Sequence, residues 1–149
     1  MTHVAEEVMV IVFLKQLLQL AEMTVKKCPT CGSDRLVILE SYFGSSVSLK
    51  WVCLTDHTAA QWHSQPILNR RMRSGDCFIC ATILTSGNNY GKMSLWAQML
   101  KVKFPSANQF HRIQTHYLVP TIDSYWQHNQ EEVLAACLRE IVVLDIIYS

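Results

Sequence analysis

The central part of this chain alternates between apolar and polar residues in the manner of a β-hairpin with one buried face. Residues 36–39 are an apolar run that predicts the first strand, and Gly44, Ser45 and Ser46 are a turn signal. The returning strand then carries an apolar residue at every second position: Val47, Leu49, Trp51 and Cys53. The alternation therefore predicts a hairpin whose second strand ends at Cys53.

Helical periodicity governs both flanks of this hairpin. Apolar residues recur at three- and four-residue steps in residues 4–23 and predict a helix that packs against the hairpin, although the β-branched run 8–12 also fits the start of a strand. After the hairpin, four segments predict helices: 76–85, 90–102, 106–117 and 120–139. Residues 141–148 form a nearly continuous apolar run, which is typical of a buried strand.

Four residues that commonly bind metals flank the hairpin. Cys28 and Cys31 are followed by Gly32, whose freedom to adopt a positive φ lets backbone N–H groups point at the two sulfurs. Cys53 and His57 follow one hairpin later, which is the order and spacing of a closed tetrahedral site. We therefore predict a structural zinc ion bound by these four residues: Cys28, Cys31, Cys53 and His57.

The sequence leaves alternatives to this ligand set. Asp56 and His63 are other fourth donors, and Asp56 is the harder and less favoured one. Cys77 and Cys80 offer a competing metal set with the first cysteine pair, or a redox pair, but they lie in an apolar helix without a following glycine. Packing is therefore the favoured interpretation of Cys77 and Cys80. The predicted ligands themselves have a plainer alternative, as buried thiols and a surface histidine.

The composition predicts a globular protein of a reducing compartment. Half of the 149 residues are apolar, enough for a real core, and six cysteines occur without a secretion signal. The apolar stretch 8–14 follows two glutamates and is too short for a signal peptide or a membrane span. We expect no membrane association.

A basic middle segment is concealed by the net charge of +1. Residues 61–120 carry seven Lys and Arg against one Asp or Glu, whereas residues 121–149 carry one against five. A local charge of +6 is a plausible footprint for a polyanion such as nucleic acid. The alternative is a solvated face that pairs with the acidic C-terminal segment.

The predicted helices 90–102 and 106–117 are joined by a tight turn, as in a helix-turn-helix whose second helix enters the major groove of DNA. Four side chains of the second helix would then contact bases: Asn108, Gln109, His111 and Arg112. Six basic side chains would meet phosphates: Arg70, Arg71, Arg73, Lys92, Lys101 and Lys103. The alternative is a pair of amphipathic helices in a bundle.

No set of residues completes an enzyme active site. The sequence has no nucleophile elbow, no phosphate-binding glycine loop and no helix with two histidines at metal spacing. Glu131 and Glu132 are neighbours on a helix and so face different directions. A closed four-ligand zinc also leaves no position for water or substrate. We therefore predict a non-catalytic protein with no small-molecule substrate.

Seven short motifs follow one another along the chain: Cys28-x-x-Cys31, Cys53-x-x-x-His57, Trp62-x-Ser64-Gln65-Pro66, Ser74-Gly75-Asp76, Ser86-Gly87-Asn88-Asn89-Tyr90-Gly91-Lys92, Pro105-Ser106 through Phe110 to Ile113-Gln114, and Tyr117-x-x-Pro120 with Tyr125-Trp126. Together they resemble transposase-like proteins of the Kolobok type, in the region just before the catalytic domain. The resemblance covers roughly residues 10–145.

The resemblance implies a zinc-binding module at the four predicted ligands and places Cys77 and Cys80 where the family has aliphatic or small residues. The family continues into a ribonuclease-H-like domain whose first strand ends in a catalytic Asp. Residues 141–144 resemble that strand and Asp145 falls near the acid, but the Gly-Asp-Gly continuation is missing. Metal-dependent strand transfer needs several carboxylates around two ions. The resemblance therefore implies a non-catalytic remnant or shortened product. We predict a transposase-derived, zinc-stabilised module of the nucleus that binds DNA weakly or through a partner.

The alternative function is a zinc-stabilised protein-interaction domain that contacts another chain and no nucleic acid. For either function we predict an α+β fold in four parts. A packing helix at 1–27 precedes a small zinc-bound β-hairpin of the zinc-ribbon or treble-clef type at 28–63. A mainly α-helical bundle with the helix-turn-helix-like pair follows at 64–140. Residues 141–149 are predicted to form a terminal apolar strand. The resemblance implies that this strand is the truncated first strand of a catalytic domain.

Overall fold

The chain forms two compact units, and the computed structural model describes residues 8–68 and 71–147, with side chains as far as residue 135. Among the described residues, the first unit, Met1–Ser106, contains a three-stranded sheet and three helices, and the second unit, Ala107–Ser149, contains helical segments alone. The mixed α and β architecture is therefore confirmed. The boundary between the two units falls within the predicted helical domain 64–140.

The sheet of the first unit is an antiparallel meander in which each strand pairs with the next. The predicted hairpin is confirmed, because Leu36 pairs with Cys53 at one end of the register and Phe43 with Ser46 at the other. Three strands follow in chain order: β1 (Leu36–Phe43), β2 (Ser46–Cys53) and β3 (Thr58–His63). The hairpin thus places Cys53 at the end of β2, as the alternation predicts.

Strand β3 does not follow from the sequence pattern. A register shift lies between Trp51 and Val52 on β2, and Ala59 and Ala60 of β3 both pack against the core. A bulge of this kind breaks the two-residue period by which a strand is recognised. The strand is therefore missed by a search for alternating residues.

Helix α1 (Leu14–Thr24) packs against this sheet, as predicted. Its Ala21 forms the buried core with Leu49 and Trp51 of β2, and Trp51 Nε1 donates a hydrogen bond of 3.3 Å to the Ala21 carbonyl. Burial of a large apolar side chain contributes roughly 1.5–3 kcal/mol. Eight half-buried residues surround this core: Leu17, Leu18, Val25, Leu36, Ile38, Val47, Ala59 and Ala60.

The predicted start of this helix at residue 4 is wrong over the part that the structure describes. Residues 8–13 are neither helix nor strand, and the exposed fraction of their side chains ranges from 54% at Val12 to 89% at Val8. Helix α1 begins at Leu14, after Phe13, which provides no side-chain cap. The β-branched residues in 8–12 lose side-chain freedom in a helix, which lowers their helix propensity. Residues 1–7 lie outside the described chain.

A partly buried polar network joins the tip of the hairpin to helix α2 (Ser74–Thr85). The backbone N–H and the hydroxyl of Ser45 donate to Asp76 Oδ1 at 2.7 and 2.6 Å. Gln65 donates through Nε2 to Ser45 Oγ at 3.0 Å and accepts through Oε1 from the Gly75 N–H at 3.1 Å. Asp76 is fully buried. We call these residues the Asp76 network, together with Gly44, whose φ is +58° and whose Cα lies against the Asp76 carboxylate.

Helix α3 (Tyr90–Met99) completes the described helices of the first unit. Its N-cap is Asn89, whose side-chain oxygen accepts hydrogen bonds from the backbone N–H groups of Gly91 and Lys92 at 2.7 and 3.4 Å. The Tyr90 hydroxyl donates to the Pro105 carbonyl at 2.9 Å. These bonds fix both the helix start and the loop that follows the helix.

The predicted strand at 141–148 is wrong, because residues 141–147 are helical. The second unit consists of α4 (Ala107–Ile113), a π-helical segment (Gln114–Leu118) and α5 (Val119–Ile147). A helix already formed adds one hydrogen bond for each further residue, whereas a strand needs a neighbouring strand. Among the described residues, no helix combines the length and apolar character needed to cross a membrane. Residues 148 and 149 lie outside the described chain.

Candidate metal centre

Four side chains from two loops of the first unit meet in one cluster. The sulfurs of Cys28, Cys31 and Cys53 and a ring nitrogen of His57 all lie within 4.8 Å of one another. The Cys31 and Cys53 sulfurs are 3.6 Å apart. Cys28 and Cys53 are buried, whereas Cys31 and His57 are exposed. These four residues are therefore close enough to bind one metal ion near the protein surface.

The first loop is closed by backbone hydrogen bonds on either side of Gly32. The Cys28 N–H donates to the Ser33 carbonyl at 2.8 Å, and the Gly32 N–H donates to the Cys28 carbonyl at 2.9 Å. Gly32 has a φ of +70°, which an L-residue adopts only with strain. The Ser33 N–H donates to the Cys31 sulfur. The positive φ and the N–H directed at a sulfur are both as predicted.

The second loop joins β2 to β3 and carries the other two donors. The Cys53 N–H donates to the His57 carbonyl at 3.1 Å, and the Asp56 N–H donates to the Cys53 carbonyl at 2.9 Å. Asp56 has a φ of +62° and serves as a turn residue outside the cluster. The backbone N–H groups of Thr55 and His57 donate to the Cys53 sulfur. Both loops therefore direct N–H groups at sulfur.

Hydrogen bonds within the cluster shift the pKa values of three of its groups. The His57 side chain, followed by the Ser33 N–H, lowers the pKa of Cys31 from 9.0 to about 6. A hydrogen bond with Thr55 lowers the pKa of Cys53, and the Cys31 sulfur raises the pKa of His57. The cluster therefore favours thiolates near neutral pH, and thiolate is the form that binds a metal.

Wherever the metal-free first unit keeps its fold, which protection of Cys80 reports, we expect Cys31 to react with iodoacetamide with a midpoint near pH 6. The pKa of this thiol is lowered in the folded protein, so the favourable thiolate interactions are present at alkaline pH and are lost as the pH falls through about 6. Alkylation followed by mass spectrometry of the Cys31 peptide measures the midpoint. Cys80 is the internal control, because burial raises its pKa to about 12. A Cys31 midpoint near 9 would contradict the geometry.

The alternative ligands lie apart from the cluster. His63 on β3 faces Ser48 across the sheet, with 2.7 Å between His63 Nδ1 and Ser48 Oγ. Cys77 and Cys80 lie on α2, where Cys80 is fully buried. Within the described chain, none of these residues belongs to a group that could hold a metal ion. The four-residue set predicted from spacing is thus the one that the fold brings together.

The basic residues of the first unit that were predicted to bind nucleic acid are mostly exposed. Arg71, Lys92, Lys101 and Lys103 are exposed, and the Lys103 ammonium lies 4.4 Å from the centre of the Tyr42 ring. Arg73 is half-buried, and its Nε and Nη1 have no hydrogen-bond partner where the structure describes the chain. Arg70 lies outside the described residues. The predicted phosphate contacts are therefore sterically open for the four exposed side chains.

Helix α4 presents most of its predicted base-contacting residues to solvent. Phe110 and Ile113 are buried, whereas three predicted residues are exposed and Gln109 is half-buried. The exposed ones are Asn108, His111 and Arg112. Because α3 and α4 belong to different units, the helix-turn-helix stays a prediction.

Thr55 contacts the metal cluster, although it was not among the residues predicted for this site. Its hydroxyl contacts the Cys53 sulfur, the Cys31 sulfur and His57 Nδ1. The signal available in the sequence is its position midway between two ligands, in Cys53-x-Thr55-x-His57. A hydroxyl at such a position can reach the donors on both sides.

No family model, curated protein or solved structure matches the chain.

Proposed function

We propose that Cys28, Cys31, Cys53 and His57 hold a structural zinc ion. Three thiolates and one imidazole are a donor set that favours zinc over harder divalent ions. A tetrahedral zinc with Zn–S bonds of about 2.3 Å holds its sulfurs about 3.8 Å apart. The observed separation between the Cys31 and Cys53 sulfurs is 3.6 Å. The single observation that carries this proposal is the convergence of the four donors within 4.8 Å.

The ion would clamp the loop that precedes β1 to the loop that joins β2 to β3. The chain between α1 and β1 has no regular secondary structure, and the core beneath α1 contains three buried residues among those described. A core of this size gives limited stability, and small domains commonly take the remainder from a metal. Four protein donors fill a tetrahedral ion and leave no position for substrate, so the proposed role is structural rather than catalytic.

We further infer that this zinc-stabilised, transposase-derived module binds DNA in the nucleus. The support is electrostatic: seven Lys and Arg stand against one acidic residue in residues 61–120, and five of the six cations that the structure describes are exposed. Exposed lysines bind phosphates and release counterions, which favours association at low salt. In the second unit, Asn108, His111 and Arg112 are exposed donors and acceptors that suit base edges.

Duplex DNA binding of a charge-removal variant tests this function. We expect the triple variant Lys92→Ala, Lys101→Ala, Lys103→Ala to bind duplex DNA more weakly, with the slope of log K against log salt reduced by about 1 for each lysine that contacts a phosphate. Fluorescence anisotropy over a salt series measures both quantities.

The matched control removes three exposed lysines from outside the basic segment. The variant Lys15→Ala, Lys26→Ala, Lys27→Ala has the same change in net charge, and all three residues are exposed. Its salt slope should equal that of the unmodified protein. Equal losses in the two triple variants would mean that binding follows net charge alone, and no binding by the unmodified protein would refute the DNA role.

Exposed apolar side chains favour one alternative, a protein-interaction domain. On α5, Trp126 is 60% exposed and Val133 is 62% exposed, and Tyr125 and Leu134 are similarly open. Exposed apolar groups in one region of a surface are typical of interaction sites. Under this alternative the zinc is retained, and neither the unmodified protein nor the two lysine variants bind duplex DNA.

A further inference from the structure

The hydroxyl group of Thr55 lies among the ligand atoms of the metal cluster. Its Oγ1 lies 3.0 Å from the Cys53 sulfur, 3.1 Å from His57 Nδ1 and 3.6 Å from the Cys31 sulfur. Three of the four donors are therefore within reach of one hydroxyl group. The Thr55 backbone N–H also donates to the Cys53 sulfur.

The Thr55 hydroxyl has one proton to donate. Which ligand atom accepts it depends on which of them has a free lone pair. In a metal-loaded site, His57 Nδ1 either binds the ion through its lone pair or carries a proton while the other ring nitrogen binds. In both states Nδ1 has no free lone pair and cannot accept from Thr55. The proton is then left for a thiolate, and the Cys53 sulfur is the nearer of the two.

We propose that Thr55 is a positioning residue of the metal centre, whose hydroxyl donates to the Cys53 thiolate and so fixes and tunes that ligand. The proposal rests on the zinc site proposed above. A hydrogen bond to a ligand restricts its orientation and withdraws charge from it, and loss of such a partner typically weakens metal binding by about 10- to 100-fold. The loop between β2 and β3 thus supplies two ligands and the group that supports them.

The test compares Thr55→Val, which removes the hydroxyl at nearly constant shape, with Thr55→Ser, which retains it. Zinc affinity is measured by competition with a chromophoric chelator, and the sulfur-to-metal charge-transfer band is recorded on the Co²⁺-loaded protein. We expect Thr55→Val to bind zinc about tenfold more weakly. Its charge-transfer band should move to lower energy, because a thiolate without the hydrogen bond gives up its electrons more easily. Thr55→Ser should match the unmodified protein in both measurements.

Thr30→Val is the control for removing a hydroxyl close to the cluster. Thr30 is exposed in the loop between Cys28 and Cys31, and its side chain is not among the groups that shift the pKa values of the ligands. An unchanged band and affinity in Thr55→Val would overturn the proposed role. Equal losses in Thr55→Val and Thr55→Ser would also overturn it, because the hydroxyl that serine retains would then make no difference to metal binding. If the unmodified protein bound neither Zn²⁺ nor Co²⁺, the metal site itself would be refuted.

Discussion

Cys53→Ser is expected to release the metal and unfold the sheet of the first unit. Serine lacks the soft thiolate that a tetrahedral zinc site uses, so the remaining donors hold the ion far more weakly. Zinc binding contributes about 10–16 kcal/mol to small zinc-dependent folds, whereas whole domains are stable by only about 5–15 kcal/mol. Cys53 also ends β2, so its loss loosens the strand and the clamp together.

Metal content and circular dichroism of the purified protein measure this outcome. Cys77→Ser is the matched control, because Cys77 is a half-buried thiol of the same unit that lies outside the cluster. It should keep one zinc per chain, and exhaustive chelation of the unmodified protein should reproduce the state of Cys53→Ser. Retention of zinc by Cys53→Ser, or its loss from Cys77→Ser, would contradict the ligand set. A protein that stays fully folded after chelation would contradict the clamp.

Gly44→Ala should destabilise the zinc-loaded protein by about 2–5 kcal/mol. A residue with a Cβ raises the free energy of the folded state by about 1–2 kcal/mol at the positive φ of this turn. The added carbon would also collide with the Asp76 carboxylate, and overpacking typically adds about 1–3 kcal/mol. The carboxylate cannot move away easily, because it is fully buried and accepts two hydrogen bonds from Ser45.

Gly87→Ala separates the two contributions. Gly87 has a φ of +67°, but an added Cβ there would meet nothing within 4 Å. Its substitution should therefore cost only the backbone strain of about 1–2 kcal/mol. Urea unfolding followed by tryptophan fluorescence gives both free energies of unfolding. Equal free energies of unfolding for the two alanine variants would contradict the expected collision, because they would show that the Asp76 carboxylate can move away from the added Cβ.

Local spacing was sufficient to predict the candidate metal site. Two of its ligands are separated by two residues and the other two by three, so each pair is confined to one short loop whatever the remaining chain does. The register of the hairpin then brings the pairs together, and that register follows from the alternation that ends at Cys53. A site of this kind depends on short-range geometry, which follows from the number of residues between its ligands.

Features that depend on distant partners were not predictable in the same way. Asp76 is the first residue of the helix predicted over 76–85, and its carboxylate accepts hydrogen bonds from Ser45, 31 residues earlier in the chain. Strand β3 pairs through a bulge, and residues 141–147 join a helix although their β-branched composition suggests a strand. In each instance tertiary contacts or helix propagation outweighed the local preference.

The hairpin is held at both of its ends. At one end Cys53 belongs to the metal cluster, and at the other the turn at Gly44 and Ser45 is bound by Asp76. Two residues added to each strand would carry the turn about 7 Å past this carboxylate, and one residue added to a single strand would turn its side chains to the opposite face. Surface hairpins usually tolerate insertions and deletions during evolution. The length of this hairpin is fixed by its two attachments. Homologous proteins with the same fold should therefore vary in the exposed side chains of the hairpin and conserve the number of residues between Cys31 and Cys53.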